Sequence, residues 1–435
     1  MEADARPDGR QELRPGDTIF ALSSGAPPAA VAVVRVSGPR ADAALAALAG
    51  ALPEPRTAKL ARLRRHGEVL DSALIMRFPA PASATGEDVA ELHLHGGRAV
   101  VAAVLAALAA LDGLRPADPG EFTRRAFENG RIDLAEAEGL ADLLEAETES
   151  QRRAALALAG GALSRQVDAW RGRLLGLAAE LEAALDFSDE DDVTPLPADF
   201  SARVAKLREE LSSWLEQPPA ERLRDGVRVV IAGPPNAGKS SLLNALAERD
   251  AAIVAPTPGT TRDVIEAPVS LGGTPFLLID TAGLRESGGP IEAIGVARAR
   301  TSAAAADILI WLGAVDEAPR GALVIHAKAD LGAPCGRNDL SVSVMTGEGL
   351  DALRRMLIQR SVALLPAEGE VALNARHRES LQHAAEELRE CEAGGDPLII
   401  AESLRCARLA LDRVTGKAGV EDMLDALFGR FCIGK

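Results

Sequence analysis

The sequence predicts a multidomain α/β protein: an N-terminal α+β domain, and a discontinuous helical domain into which an α/β domain with a phosphate-binding loop is inserted. Three observations predict it. The chain has 435 residues, too many for one ordinary domain and suited to about three. Its middle carries Gly233-Pro234-Pro235-Asn236-Ala237-Gly238-Lys239-Ser240, which fits GxxxxGK(S/T) between a strand-like run at 227–232 (VRVVIA) and a helical start at 241–247. Stretches rich in Ala, Leu, Glu and Arg at helical spacing flank that middle, so a compact domain inserted into a split helical one is the simplest arrangement.

In a strand–loop–helix context the loop has a defined chemistry. Its glycines let backbone N–H groups around Asn236, Ala237, Gly238 and Ser241 wrap phosphates, Lys239 neutralises the outer phosphate oxygens, and the Ser240 hydroxyl reaches Mg²⁺.

Composition narrows the partners. A formal net charge of −16 argues against a general nucleic-acid coat and for a soluble protein, and leaves room for local basic surface. Cys335, Cys391, Cys406 and Cys432 show neither paired metal spacing nor a disulfide framework, which points to a reducing cytoplasm. No signal-peptide pattern is visible, and residues 1–16 are charged and read as disordered. The longest apolar run, 99–111, has 13 residues, too few to span a bilayer, and reads as a buried helix.

The first domain, 1–130, alternates strand and helix: strands at 30–36, 73–78 and 89–95, helices at 40–49 and 98–111. Arg35 and Glu91 sit within strand patterns and need a partner, which is either each other or a ligand. His93 and His95 share one strand face at a spacing that can hold a metal, but no carboxylate or third ligand is apparent beside them. Residues 131–225 read as long helices, broken at Gly160-Gly161. The acidic run 186–192 lacks a glycine-punctuated Ca²⁺ loop and reads as a solvated helix end.

The inserted domain, 226–364, holds the partners of the phosphate loop in chain order. Gly259-Thr260-Thr261-Arg262-Asp263 offers a threonine to complete a Mg²⁺ shell. A strand at 276–279 ends in Asp280-Thr281-Ala282-Gly283, where Asp280 can bind Mg²⁺ through water and the Gly283 N–H can touch a γ-phosphate. Lys328-Ala329-Asp330, followed by 343–349 (SVMTGEG) with Ser343, has the spacing of a guanine pocket, in which the Asp330 carboxylate accepts from the base and rejects adenine. Together these elements make a Ras-like P-loop GTPase. The pattern calls for Asn-Lys-x-Asp, and Ala327 stands in the asparagine's place; weakened GTP affinity with guanine selectivity retained is the expectation. Leu284 occupies the position where signalling GTPases orient water with glutamine, so either the protein hydrolyses GTP poorly alone or another residue supplies the base and something cationic replaces an arginine finger; Glu292 is a candidate carboxylate in the following loop. The chain closes with 365–435, helical at 374–391 and 397–414, then VEDMLDALFGRFCIGK. Cys432 is three residues from the end, but Lys435 is a poor final residue for prenylation, which leaves a buried structural cysteine as the plain reading.

The order of these parts, with GPPNAGKSSLLNAL, GTTRD, DTAGLRE, TGEG, Thr85-Gly86-Glu87-Asp88 and a terminal FCIGK, resembles the MnmE (TrmE) family of tRNA-modifying GTPases over essentially the whole chain. The resemblance implies a cytoplasmic homodimer acting with MnmG, a partner that uses FAD and NADH. Together they would place an aminomethyl or carboxymethylaminomethyl group on carbon 5 of the wobble uridine of tRNA. The carbon would come from a tetrahydrofolate derivative, 5,10-methylene or 5-formyl.

It also implies roles for single residues. Asn236, with Thr257 and Gly259, would ligate K⁺ in place of an arginine finger as two G domains meet, and Glu292 would orient the attacking water. Arg35, Glu91, Arg131 and Lys435 match folate-contacting positions, Arg131 standing where lysine is common. The turn at 24–30 (SGAPPAA) departs from the family's glycine- and arginine-rich one. Cys432 matches a cysteine needed for modification, as nucleophile, acid or structural residue, with Arg430 or Lys435 available to lower its pKa. The alternative is a ribosome-assembly GTPase of the Era or EngA kind, against which stands the lack of a basic KH-like segment or a second GTPase copy. A membrane signalling switch would need an anchor that the sequence lacks.

Overall fold

The computed structural model describes residues 16–186, 196–249, 265–280, 306–332, 336–367, 369–418 and 421–434. The chain divides into two compact units, Met1–Ala141 with Thr415–Lys435, and Asp142–Val414. Among the described residues no helix is long and apolar enough to cross a membrane.

The first unit is built on a six-stranded sheet of β1 (Thr18–Leu22), β2 (Val31–Ser37), β3 (Lys59–Arg65), β4 (Glu68–Phe78), β5 (Val89–His95) and β6 (Leu114–Pro116), in the order β3-β4-β5-β2-β1-β6. All neighbours are antiparallel except β1 and β6. Alternation fixes which face is buried: Ala32, Val34 and Val36 of β2 and Leu92 and Leu94 of β5 face a core shared with α1 (Ala41–Ala49) and α2 (Arg98–Ala109). The apolar run at 99–111 is thus a helix with Val101, Val104, Ala107 and Leu108 inward, and it ends two residues early at the turn before Gly113, whose φ is 79°.

Sequence pattern missed β1, β3 and β6. In β3, KLARLRR, only Leu63 is fully buried, so its charged residues hide the strand.

Helices α3 (Glu121–Glu128) and α4 (Leu134–Glu145) follow. The closing segment packs in this unit: Leu424, Phe428 and Phe431 form a cluster with Leu134, Ala137 and Ala141, and the Phe127 and Phe428 rings are 6.2 Å apart. Gly120 permits it, because its φ of 69° suits glycine and a Cβ there would collide with the Phe428 carbonyl oxygen. Ile433 then bridges Pro119, and Gly434 lies so close to the Leu22 carbonyl that no side chain would fit.

In the second unit, α5 (Glu149–Ala159) and α6 (Ala162–Asp186) are separated at Gly160-Gly161 as expected, and α7 (Phe200–Leu215) and α8 (Ala220–Asp225) lead into a second six-stranded sheet. Trp170 of α6 is fully buried, edge-on to Trp214 of α7 at 5.2 Å. The strands β7 (Val227–Ala232), β8 (Ile265–Leu271), β9 (Thr274–Asp280), β10 (Ile308–Trp311), β11 (Leu323–Ala327) and β12 (Leu340–Val342) run in the order β12-β11-β10-β7-β9-β8. Only the β8–β9 hairpin is antiparallel. Val229, Ile231, Leu278, Ile310 and Ile325 fill its core against α9 (Lys239–Arg249) and α10 (Leu350–Ser361). Both faces of a parallel sheet are covered, which is why these strands are nearly continuous apolar runs. The helices α11 (Ala375–Ala393) and α12 (Pro397–Thr415) come next, and α13 (Glu421–Phe428) is the helix of the closing segment.

The start of α5 braces the G-domain sheet. Thr148 and Gln151 form a capping box, Ser150 donates from both N and Oγ to the Gly273 carbonyl (3.2 and 2.9 Å), and Gln151 Nε2 donates to the Leu223 and Arg224 carbonyls (3.1 Å each). Gly273 is in the turn before β9, and Arg224 ends the helix before β7, so one helix terminus holds the two strands that lead into the phosphate site.

Candidate nucleotide site and its companion clusters

In an open parallel sheet, ligands bind beyond the carboxyl ends of the strands. The predicted nucleotide residues gather there: the loop 233–238 follows β7, Asp280 ends β9, Lys328 and Asp330 follow β11, and Ser343 follows β12. The loop needs unusual backbone. Gly233 and Gly238 have φ of 148° and 95°, and Asn236 adopts 60°, a left-handed conformation that asparagine tolerates better than most residues. A Cβ on Gly233 would press on Leu312 at 3.1 Å.

Lys239 is buried, with Nζ donating to the carbonyls of Gly233 (3.1 Å) and Pro234 (2.9 Å), so its charge is fixed inside the loop. Ser240 Oγ donates to Asp280 Oδ2, and Asp280 is fully buried. A hydroxyl and a carboxylate in contact beneath a phosphate loop have the oxygen chemistry that suits a divalent cation.

On the base side, Ser343 Oγ is fully buried and donates to Asp330 Oδ1 at 2.5 Å, which fixes the carboxylate's orientation. Lys328, with φ of 58°, crosses to the loop and donates from Nζ to the Asn236 carbonyl at 2.8 Å. Ala327 packs against the core and offers no side-chain bond, so Lys328 is the side chain that ties the base pocket to the phosphate loop here. Among the described residues the Asn236 side-chain amide makes no hydrogen bond, which leaves its oxygen available to an ion. Ala237 and Ser241 flank this loop, Ala237 against the core and Ser241 exposed on α9. Thr257, Gly259, Thr260, Thr261, Gly283, Leu284, Glu292, Cys335 and Lys435 lie outside the described residues.

In the first unit Arg35 and Glu91 are cross-strand partners in the β2–β5 register and form an ion pair, with 2.9 Å between Nη2 and Oε1. The Arg35 guanidinium also stands over the Phe122 ring at 5.8 Å. Arg131 donates from Nε to the Ser83 carbonyl at 3.2 Å. The histidine pair differs from expectation. Each ring has its own carboxylate, His93 with Glu91 at 3.3 Å and His95 with Asp71 at 2.7 Å, and among the described residues no group of three or more His, Cys, Asp or Glu could hold a metal. Cys432 is exposed on the closing segment, not buried as the plain reading had it. Cys391, in contrast, is buried and its thiol is pushed up to about 12, chiefly by that burial.

Sequence reasoning missed an ion-pair network. Arg125 Nη2 reaches Asp17 at 2.6 Å and Glu121 at 3.0 Å, Nη1 reaches Glu87 at 3.1 Å, and Arg115 joins Asp17 to Glu121. Ser37 Oγ completes it, 2.6 Å from Thr85 Oγ1 and 2.7 Å from Glu87 Oε2. Burial works against the Glu121 charge, yet Arg115 and the Asp118 N–H hold its carboxyl below the usual range. The one available signal was Thr85-Gly86-Glu87-Asp88, marked by resemblance and not by chemistry.

Known proteins resemble this chain along its length. The sequence model of the MnmE helical domain matches residues 134–432, and that of the GTP-binding protein TrmE N-terminus matches 18–131. The tRNA modification GTPase MnmE of Rhizorhabdus wittichii is 60% identical, covering 96% of this chain and 97% of its own. Those of Erythrobacter litoralis and Zymomonas mobilis are 59% and 52% identical, each covering 96% of this chain and 100% of its own. Among solved structures, the G domain of the T. maritima FeoB iron transporter is 26% identical over 31% of this chain and 98% of its own, with a TM-score of 0.24. On the family models and these relatives, the chain belongs to the MnmE family of tRNA modification GTPases.

Proposed function

We propose that this protein is a potassium-activated GTPase that, with an FAD-dependent MnmG partner, builds the aminomethyl or carboxymethylaminomethyl group on carbon 5 of the tRNA wobble uridine. The observation that carries the GTPase half is the joint placement of Lys239, Ser240–Asp280 and Ser343–Asp330 at one end of a parallel sheet. Family membership carries the tRNA half.

In this reading Lys239 exchanges its two carbonyl partners for phosphate oxygens, and the loop N–H groups hold the β-phosphate. Ser240 and Thr261 hold Mg²⁺, which would neutralise charge developing on the phosphates. Asn236, Thr257 and Gly259 hold K⁺, which would supply the positive charge that an arginine finger supplies elsewhere. The free amide of Asn236 supports that assignment. GTP turnover at matched ionic strength is expected to be at least about tenfold faster in KCl than in NaCl, the scale of one well-placed charge; equal rates would remove the potassium step.

Residues 1–130 form the folate-binding and dimerisation domain in this proposal. Arg35 donates to Glu91 from Nε and Nη2, which leaves Nη1 for a ligand carboxylate, and Arg131 and Lys435 add cations. A tetrahydrofolate bound there would supply the one-carbon unit. The closing segment belongs to the same unit as Arg35, and two residues after Cys432 its Gly434 lies against Leu22 at the end of β1.

Mass spectrometry of tRNA nucleosides tests the whole reading in cells lacking this protein. Wobble-uridine aminomethyl groups are expected to vanish, to return with the wild-type chain, and to stay absent with Cys432→Ser. Restoration by the serine variant would make Cys432 structural, and modification that persists in the deletion would shift the reading to ribosome assembly.

A further inference from the structure

Within a chain of net charge −16, one strand carries four basic residues and no acidic one: β3, Lys59–Arg65, reads KLARLRR, and Arg56 precedes it. No acidic residue lies between Arg56 and Arg65. The strand is also the edge of its sheet, so its outer backbone groups and side chains face solvent. Arg35, Arg77, Arg115, Arg124 and Arg125 of this unit pair with carboxylates, whereas Arg40, Arg98 and Arg131 donate to backbone carbonyls. The ribbon belongs to the second kind. Arg56, Arg64 and Arg65 donate only to the carbonyls of Ala82, Gly67 and Ala106, and among the described residues Lys59 and Arg62 have no polar partner. Across the β3–β4 register Glu68 stands opposite Arg65 and Asp71 opposite Leu63, with Asp71 engaged by His95, so the positive charge is least compensated at Lys59, Arg62 and Arg64.

We propose that this edge strand holds phosphates of the tRNA backbone, so that the chain binds its substrate directly. The inference rests on the tRNA reading above. Alternate side chains on a strand lie about 7 Å apart, a spacing comparable with successive phosphates of a nucleic-acid strand. Residues 54–71 contain no Phe, Trp or Tyr, so the ribbon has no large apolar ring to anchor in a bilayer. The contact is then electrostatic and sequence-independent, positioning the tRNA without reading it. Basic residues also guard sheet edges against self-association. That role requires no phosphate and predicts no RNA binding, so the two are separable.

The test uses the full chain and unmodified tRNA transcript, with anisotropy titrations from about 50 to 200 mM salt, the range over which phosphate contacts dominate affinity. The triple variant Lys59→Gln, Arg62→Gln, Arg64→Gln is expected to bind about ten- to hundredfold more weakly near physiological salt. Its slope of log affinity against log salt should be shallower by about 2 to 3, the contribution of three phosphates. GTP turnover and oligomeric state should not change, and a variant with Arg62→Lys and Arg64→Lys should bind as the wild type does. Unchanged affinity and slope in the glutamine variant would overturn the proposal, as would aggregation of that variant with affinity intact. So would a wild-type chain that binds phosphatidylglycerol vesicles but not tRNA. If nucleoside analysis upholds the modification while the glutamine variant binds normally, the strand assignment alone falls. If the deletion leaves wobble uridines modified, the functional reading falls and takes the tRNA assignment with it.

Discussion

Asp330→Asn is expected to weaken GTP binding by about 10²- to 10⁴-fold, the loss of two charge-assisted hydrogen bonds at about 1.5–3 kcal/mol each. The Ser343 hydroxyl, fully buried and 2.5 Å from Asp330 Oδ1, holds the carboxylate in a single orientation. In that orientation its other oxygen would be left to accept from a bound base. Guanine offers two donors, the ring N–H and the exocyclic amine, and a carboxylate accepts both. An asparagine held by the same serine bond would turn its NH₂ toward those donors, which leaves donor against donor in a desolvated pocket. Xanthosine triphosphate, with a carbonyl in place of the amine, should regain affinity in the variant. Calorimetric titration of both nucleotides checks this. GTP binding within threefold of wild type would show that Asp330 does not read the base.

The same residue shows what a sequence can and cannot reveal. The motif around Asp330 was legible because a guanine pocket needs a carboxylate at a set distance from a small loop, and both lie within 328–349. Strand β7 was legible to its end residues, since six apolar-rich residues run directly into a glycine loop. Strand β3 was not, because its single fully buried side chain, Leu63, gives no period against so many charges. The network of Asp17, Glu87, Arg115, Glu121 and Arg125 was also invisible: its bond from Arg125 to Asp17 spans 108 positions, and no local pattern encodes such a pairing. Arg35 and Glu91 were recognised as needing partners, and strand register supplies one by setting them directly opposite one another. The closing segment illustrates a further limit. Its helical spacing grouped it with the helices before it, and the sequence carries no sign of its contact with α3, which the absence of a Cβ at Gly120 permits.

Glu292→Ala is expected to lower kcat for GTP by about 10²- to 10⁴-fold, the usual worth of a positioned general base, while GTP affinity changes by less than about twofold, since the phosphates and base are held by other residues. Binding and turnover separate because different residues carry them. In the proposed reading Lys239, Ser240 and Asp280 would meet the phosphates and their cation, and Asp330 the base, whereas the water that attacks the γ-phosphate needs an acceptor of its own. Leu284 has no polar atom to offer that water. Glu292→Gln distinguishes the two ways a glutamate acts. An amide orients water through its oxygen but takes no proton, so turnover in the glutamine variant near that of wild type would assign Glu292 an orienting role. Turnover as low as in the alanine variant would require the negative charge. Single-turnover hydrolysis with saturating GTP and K⁺ measures the chemical step apart from product release. Wild-type rates in the alanine variant would move the search to another acceptor, and unchanged affinity alongside lost turnover would fix Glu292 as a residue of the reaction and not of nucleotide binding.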